Sequence, residues 1–254
     1  MNFLKLLEKP DLVAAHRGDR SRQPENTLSA LRSSIGKCDF IEIDVQLSRD
    51  RMPVIMHDET LGRTSNAKEL FRDRKPWHVN DFTLEELQSL DYGSWFNGRS
   101  EPLLTLQQAL AFAVEENQYL NIEIKDMSAF ADDAEVVQTV ITAIEKYGAE
   151  PQVLLSSFYH PYLQLSKSLS PVIPTAALFE NKKTNLLNYL RLLEVDACHL
   201  DDAITDQKTV KALREAGFAV GVYTVNAPRR KKELYSWGVN AVFTDNLLET
   251  SPAF

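Results

Sequence analysis

Cysteine is scarce in this sequence. The 254 residues include two cysteines, Cys38 and Cys198, which lie far apart in the chain. This count excludes a fold held together by disulfides and the closely spaced cysteines of structural zinc sites. Cys198 lies in an apolar stretch, where we expect a small buried core residue. Low cysteine usage is typical of a reducing compartment.

Long apolar segments are also missing. No apolar run approaches the roughly 20 residues that a membrane-spanning helix needs. Lys5, Glu8 and Lys9 interrupt the first ten residues, so we expect no signal peptide. Together with the low cysteine usage, this predicts a cytoplasmic protein without stable membrane insertion.

Positive charge is in deficit. The chain has 28 Lys and Arg against 36 Asp and Glu, a net charge of −8. A nucleic-acid partner is excluded, because its phosphates would require a basic face. A small phosphorylated substrate stays compatible with this charge, since a bound divalent cation reverses the local sign. No pattern indicates an oligomeric state.

Short apolar runs alternate with amphipathic segments along the whole chain, as in parallel strands that are covered by helices. The predicted strands span residues 12–15, 40–45, 120–125, 153–158, 173–179, 195–200, 219–225 and 241–244. The predicted helices span residues 27–35, 105–117, 132–147, 161–168, 184–193, 206–215 and 228–237. This order predicts a single α/β domain over residues 1–254, a TIM-type (β/α)8 barrel.

A doubly wound open sheet is the alternative fold. It would place a Gly-x-Gly-x-x-Gly loop after an early strand, and none is present there. One segment, at about 61–102, is too long for a simple repeat. We interpret it as an inserted subdomain after the second strand, over the barrel mouth. An Ω-like loop packed by its own aromatic residues is the alternative.

Polar residues follow the apolar runs where a barrel places its active site, at the carboxyl ends of the strands. His16 and Arg17 follow the first strand, and Gly18 allows the backbone to turn there. His57 closes a short apolar run that extends the second strand as a hairpin. Two histidines at one mouth suit an acid and a base near neutral pH. Either histidine alone is more typical of a structural residue.

Acidic residues alternate within two predicted strands. Glu42 and Asp44 share one face of the second strand, and Glu123 and Lys125 share one face of the third. Ionised carboxylates this close inside a barrel require a cation or a shared proton. Three converging oxygen donors suit Mg²⁺ or Ca²⁺. The alternative turns the second strand over and exposes both of its acids to solvent.

In their order along the chain, these residues resemble the glycerophosphodiester phosphodiesterases. The matching segments are His16-Arg17-Gly18, Pro24-Glu25-Asn26-Thr27, Glu42-x-Asp44, His57-Asp58 and Glu123-x-Lys125. Residues 223–226 and 238–246 resemble the last two strands of that family. Each motif is short, but the ordered set covers essentially the whole chain, including the insertion.

The resemblance implies a metal-dependent enzyme on a TIM-type barrel. Its implied site has the metal ligands Glu42, Asp44 and Glu123, the acid–base pair His16 and His57, and the phosphate contacts Arg17 and Lys125. Glu25 and Asn26 would order the loop after the first strand. The implied reaction hydrolyses glycerophosphodiesters, such as glycerophosphocholine or glycerophosphoethanolamine, to glycerol 3-phosphate and an alcohol.

The side of the pocket that recognises the alcohol departs from the family pattern. Tyr223 ends the seventh strand, where family members often have Trp, and residues 71–80 are longer and more charged than usual. Phe158, after the fourth strand, is predicted to line the pocket with Tyr223; core packing is its alternative role. The reaction type is therefore better determined than the substrate.

Two other functions fit parts of this pattern. A sugar-phosphate isomerase or aldolase would use Lys125 as a Schiff base, and a non-catalytic barrel would only bind phosphate or a cation. The paired histidines beside the acids favour hydrolysis. Among the remaining polar residues, we expect His199 to be structural and His160 to lie at the surface. We expect the basic run 229–232 to be a solvated helix face.

Overall fold

The strands of the molecule coincide with the apolar runs of the sequence. The computed structural model describes residues 2–247 of the chain. Its strands are β1 (Leu12–His16), β2 (Phe40–Leu47), β3 (Pro53–Ile55), β4 (Leu120–Ile124), β5 (Val153–Ser157), β6 (Thr175–Phe179), β7 (Ala197–Asp201), β8 (Ala219–Tyr223) and β9 (Ala241–Thr244). Nearly every residue in them is buried, as expected for strands covered on both faces.

The strands close into a barrel. In the described residues they are hydrogen-bonded in the order β1-β9-β8-β7-β6-β5-β4-β2-β3, and β2 also pairs with β1. All of these pairings are parallel except that of β2 with β3. The predicted (β/α)8 barrel is therefore confirmed. β3 is the predicted hairpin extension, and it carries the chain back towards His57.

Helices alternate with the strands. They are α1 (Phe3–Leu7), α2 (Leu28–Ser34), α3 (Ala67–Leu70), α4 (Leu84–Gln88), α5 (Ser94–Asn97), α6 (Leu106–Glu115), α7 (Asp133–Lys146), α8 (Pro161–Leu169), α9 (Leu186–Leu193), α10 (Gln207–Glu215) and α11 (Pro228–Trp237). Within residues 2–247, none combines the length and apolar character needed to cross a bilayer.

Helix starts follow capping side chains. Thr105 and Gln108 form a reciprocal capping box at α6, Asp132 caps α7, and Asp206 caps α10. The predicted ranges included these capping residues, so the helices begin one residue later than predicted. α1 was not predicted. Its Phe3 packs edge-on against Phe40 at a ring-centroid distance of 5.2 Å, beside the first residues of several strands.

The segment between β3 and α6 has its own apolar cluster. It carries α3, α4 and α5, and α4 begins with a capping box of Thr83 and Glu86. Phe82, Leu87 and Tyr92 are among the buried side chains of this cluster. The packing agrees with an insertion, while the division of the chain into a barrel and an inserted subdomain stays a prediction.

A glycine after β1 shapes the loop that carries Arg17. Gly18 has a φ of +78°, and a Cβ at this position would lie 2.7 Å from Ala30 Cβ and 2.8 Å from the Ala30 carbonyl carbon. Gly36 also has a positive φ, +72°, but open space around its Cβ position. A comparison of substitutions at the two glycines therefore distinguishes the cost of the backbone conformation from the cost of the close contact.

We expect Gly18→Ala to destabilise the fold more than Gly36→Ala. The positive φ alone costs about 1 kcal/mol at either site. The collision with α2 adds roughly 1–3 kcal/mol at Gly18. Urea unfolding of the two variants measures this difference. Equal losses in the free energy of unfolding would show that the contact with Ala30 is unimportant.

Candidate active site

A pocket of about 350 Å³ opens at the carboxyl ends of the barrel strands. Eight of the nine predicted site residues line it: His16, Arg17, Glu42, His57, Glu123, Lys125, Phe158 and Tyr223. The ninth, Asp44, is 1% exposed and lies among them. The fold therefore brings all nine predicted site residues into one place.

Three carboxylates converge at the pocket. Glu42 and Asp44 alternate along β2, and the β2–β4 register places Glu123 beside Asp44. One oxygen of each carboxylate lies within 4.8 Å of the others, and all three residues are buried. Oxygen donors in such a group could hold a hard divalent cation.

Ionisation of these buried carboxylates costs free energy. Burial raises the pKa of Glu42 well above its usual value, and the charges of Asp44 and Glu123 raise it further. Burial and the charge of Asp44 likewise raise the pKa of Glu123. Burial opposes the ionisation of Asp44 too, but Lys125 and Arg17 hold the pKa of Asp44 below its usual range. The cluster thus carries more negative charge than its surroundings accommodate.

Two cations of the chain adjoin the cluster. The Lys125 ammonium lies 2.7 Å from Glu123 Oε1 and 3.6 Å from Asp44 Oδ1. Burial acts against its charge, but Asp44 and Glu123 outweigh burial and raise the pKa of Lys125. Arg17 Nη1 donates to Glu25 Oε1 at 2.9 Å, and Arg17 Nε lies 3.5 Å from Asp44 Oδ2. Both cations also line the pocket, where an anionic group could reach them.

His16 is oriented by a carboxylate from the last strand unit. Its Nδ1 forms a hydrogen bond with Asp245 Oδ1 at 2.8 Å, and Asp245 directly follows β9. Asn226 Nδ2 donates to the other oxygen of Asp245 at 2.9 Å. Burial lowers the pKa of His16, while the hydrogen bond to Asp245 raises it in part. The balance favours a neutral imidazole at pH 7.

His57 is oriented in the same way by its neighbour in sequence. Its Nδ1 forms a 2.8 Å hydrogen bond with Asp58 Oδ1. Arg63 holds Asp58 with two donors, Nε to Oδ2 at 2.6 Å and Nη2 to Oδ1 at 2.9 Å. Arg63 also donates to both oxygens of Glu25, at 3.0 and 2.6 Å. One side chain thus joins the partner of His57 to the loop after β1.

Glu25 and Asn26 order that loop, as predicted. Glu25 is buried and accepts hydrogen bonds from Arg17 and Arg63, and its Oε2 lies 2.8 Å from Arg20. Asn26 Nδ2 donates to Asp44 Oδ2 at 2.8 Å. These contacts tie the first loop to the acidic cluster.

The opposite wall of the pocket is aromatic. Phe158 and Tyr223 meet edge-on at a ring-centroid distance of 5.9 Å. Phe158 is 39% exposed, so it is a pocket residue rather than a core residue. Glu180, which follows β6, and Leu178 complete this side.

Two of the minor expectations need correction. His199 is structural as expected, since it is buried against Phe243 and burial lowers its pKa to about 3. His160 is half-buried rather than free at the surface, and both of its ring nitrogens are bonded, to Tyr189 Oη and to the Leu178 carbonyl. The basic run 229–232 is not uniformly solvated, because Lys231 is buried at 4% exposure.

Asp245, Arg63 and Glu180 were not predicted as site residues. Asp245 and Glu180 each follow a strand, at the position that marked His16 and Arg17, so that signal was available for both. Arg63 lies in the long segment after β3, where no periodic pattern indicates which side chains turn towards the barrel.

Comparisons with known proteins show the family of the chain. Residues 16–249 match the model of the glycerophosphoryl diester phosphodiesterase family. A glycerophosphodiester phosphodiesterase of Caldanaerobacter subterraneus is 30% identical over 92% of this chain and 94% of its own length. One from Bacillus subtilis is 31% identical over 94% of this chain and 85% of its own length.

A solved structure shares the fold as well. It is an Oleispira antarctica phosphodiesterase in complex with the product sn-glycerol-3-phosphate. Its TM-score with this chain is 0.85 at 28% sequence identity, and the match covers 94% of each chain. The prediction of a phosphoric diester hydrolase is confirmed, and the chain belongs to the glycerophosphoryl diester phosphodiesterase family.

Proposed function

We propose that this enzyme hydrolyses glycerophosphodiesters, such as glycerophosphocholine or glycerophosphoethanolamine, to glycerol 3-phosphate and the free alcohol, with a divalent cation and two histidines. The observation that carries this proposal is a single pocket in which a buried cluster of three carboxylates lies with two histidines, each paired with its own carboxylate. The sn-glycerol-3-phosphate bound to the Oleispira antarctica phosphodiesterase supports this substrate class.

The donor set fits a divalent cation. Asp44 Oδ1 is buried and accepts no hydrogen bond from the described residues, although its carboxylate is ionised beside Glu42 and Glu123. Lys125 lies 3.6 Å from this oxygen, too far for a hydrogen bond. A cation would give the oxygen a close partner and relieve the repulsion that raises the pKa of Glu42. Glu42, Asp44 and Glu123 would hold Mg²⁺ or Ca²⁺. When bound, the cation would offset negative charge that develops on the phosphoryl oxygens.

The two histidines supply the proton transfers. Because each Nδ1 is bonded to a carboxylate, Nε2 is the ring atom left for the substrate. We assign His16 as the base, since burial lowers its pKa and keeps it neutral. It takes the proton of the attacking oxygen as the new P–O bond forms. His57 gives a proton to the alcohol oxygen as the old P–O bond breaks.

Arg17 and Lys125 bind the phosphate. Both line the pocket beside the acidic cluster, so their charges face the place where a phosphodiester would adjoin the cation. Positive groups that are already held in position stabilise the added negative charge of the transition state without reorganising. The ion pairs with Glu25 and Glu123 hold them there.

The alternative functions are less well supported. A Schiff-base aldolase needs a neutral amine, whereas Lys125 is ion-paired with Glu123 and its pKa is raised. A barrel that only binds phosphate has no use for carboxylates that fix the ring orientation of both histidines. The cytoplasmic location stays a prediction, with which the two free cysteines agree.

We expect hydrolysis of glycerophosphocholine to require a divalent cation. A coupled assay for glycerol 3-phosphate should show activity with Mg²⁺ or Ca²⁺, loss of that activity in EDTA, and recovery when the cation is restored. The Glu42→Gln variant tests cation binding by a measurement that does not depend on activity. A hundredfold excess of cation over its Kd should raise the Tm of the native enzyme by roughly 5–10 °C, but not that of the variant. Activity that persists in EDTA would overturn the metal-dependent mechanism.

We expect Asp245→Asn to lower kcat by roughly 10- to 100-fold, part of what a general base contributes. Asp245 raises the pKa of His16 through its hydrogen bond and charge, so its replacement should lower that pKa further. A base with a lower pKa loses its proton at lower pH, so the acidic limb of the kcat profile should move to lower pH. Asp206→Asn, at the cap of α10, is the matched control. An unmoved limb would exclude His16 as the base.

We expect Arg63→Ala to lower kcat about tenfold with little change in KM. Arg63 donates to Asp58 and Glu25, and Asp58 bonds to His57, so Arg63 acts as a positioning residue for His57. Guanidinium ion added to the variant should restore part of kcat, and ethylammonium should not, because the two carboxylates require a planar donor. Equal rescue by both cations, or loss through KM alone, would contradict this role. Arg49→Ala serves as the surface control.

A further inference from the structure

The pocket has two walls of different chemistry. Arg17 and Lys125 lie on the wall built by β1, β2 and β4, together with the acidic cluster. The facing wall, built by β5, β6 and β8, presents Phe158, Leu178 and Tyr223. Its charged lining residue among the described side chains is Glu180.

Glu180 is available to a ligand. It is exposed at the pocket mouth, and within residues 2–247 its carboxylate has no ion pair or hydrogen bond. The two lysines that follow it in sequence are engaged elsewhere. Lys182 Nζ lies 3.1 Å from Asp206, and Lys183 Nζ lies 3.8 Å from the ring centroid of Tyr189. Among the described side chains, Glu180 therefore has no paired cation.

The charge of Glu180 acts on Tyr223, and Phe158 lines the same pocket. Burial raises the pKa of Tyr223, and the charges of Asp201, Glu123 and Glu180 raise it further. The ring planes of Phe158 and Tyr223 stand at 88°, so the pair presents an edge and a face. A ring face next to a free carboxylate attracts an ammonium group by cation–π and ionic interaction, most strongly where water is displaced. It has no comparable attraction for a neutral alcohol.

We propose that Glu180, Phe158 and Tyr223 form the subsite for the departing alcohol and select an alcohol that carries a positively charged amine. This inference rests on the proposed function, because it takes the phosphate to lie between the two walls. A phosphodiester with such an alcohol has its negative charge against Arg17 and Lys125 and its positive charge against Glu180. Neutral polyol diesters lack the second of these interactions.

A comparison of four substrates tests the subsite. With Mg²⁺ present, kcat/KM is measured for glycerophosphocholine, glycerophosphoethanolamine, glycerophosphoglycerol and glycerophosphoinositol. We expect the two cationic diesters to be preferred about tenfold. Glu180→Gln should lower the ratio of glycerophosphocholine to glycerophosphoglycerol about fivefold through KM, and Glu180→Asp should restore part of it. Phe158→Leu should lower the same ratio, since it keeps the bulk but removes the ring. Glu145→Gln, on the exposed face of α7, should leave the ratio unchanged.

The outcomes separate the inference from the function on which it rests. Release of glycerol 3-phosphate from all four diesters with equal efficiency would overturn the cationic subsite while supporting the hydrolase. So would an equal loss on every substrate in Glu180→Gln. Failure to hydrolyse any of them with the cation bound would overturn both proposals.

Discussion

The site depends on one electrostatic constraint, which is that three carboxylates are buried within reach of one another. Glu42, Asp44 and Glu123 repel each other in a place where water screens their charge poorly. Lys125 and Arg17 offset part of that charge. Arg17 in turn forms an ion pair with Glu25, and Glu25 also pairs with Arg20 and Arg63. Each charge is compensated by the next one outwards, so the acidic cluster organises the loops around it.

This chain of charges joins the barrel to the segment after β3. Arg63 comes from that segment and bonds to Glu25 of the first loop and to Asp58 beside His57. The position of one proposed catalytic histidine therefore depends on contacts outside the barrel strands. His16 has a different support, because Asp245 follows the strand that closes the barrel against β1. The two histidines are therefore held by different parts of the molecule, His57 by the segment after β3 and His16 by a residue that reaches it when β9 pairs with β1.

Local pattern explains what could be predicted. The alternation of Glu42 and Asp44 within an apolar run determines that they share a face, and parallel strands bring Glu123 to the same end. The apolar runs and capping residues likewise predict the barrel elements to within a few residues. The contacts of Asp245 and Arg63 could not be assigned in this way. The position of Asp245 after a strand indicates the barrel mouth but not its partner, since His16 lies 229 positions away. Glu25 lies 38 positions from Arg63, and only the folded segment decides that they meet. α1 is five residues long, too short for a periodic pattern.

The residues proposed for the reaction and those proposed to recognise the alcohol also lie on different strands. The acidic cluster lies within β2 and β4. The histidine partners and the cations proposed to bind phosphate come from the segments after β1, β3, β4 and β9, and each of these side chains is held by others. Phe158 and Glu180, after β5 and β6, make few polar contacts and are exposed. A substitution in the first group leaves a buried charge without its partner and is costly. One in the second group changes the proposed alcohol subsite at little cost to the fold. Under the proposed function, the same barrel can therefore keep its chemistry while its choice of alcohol varies.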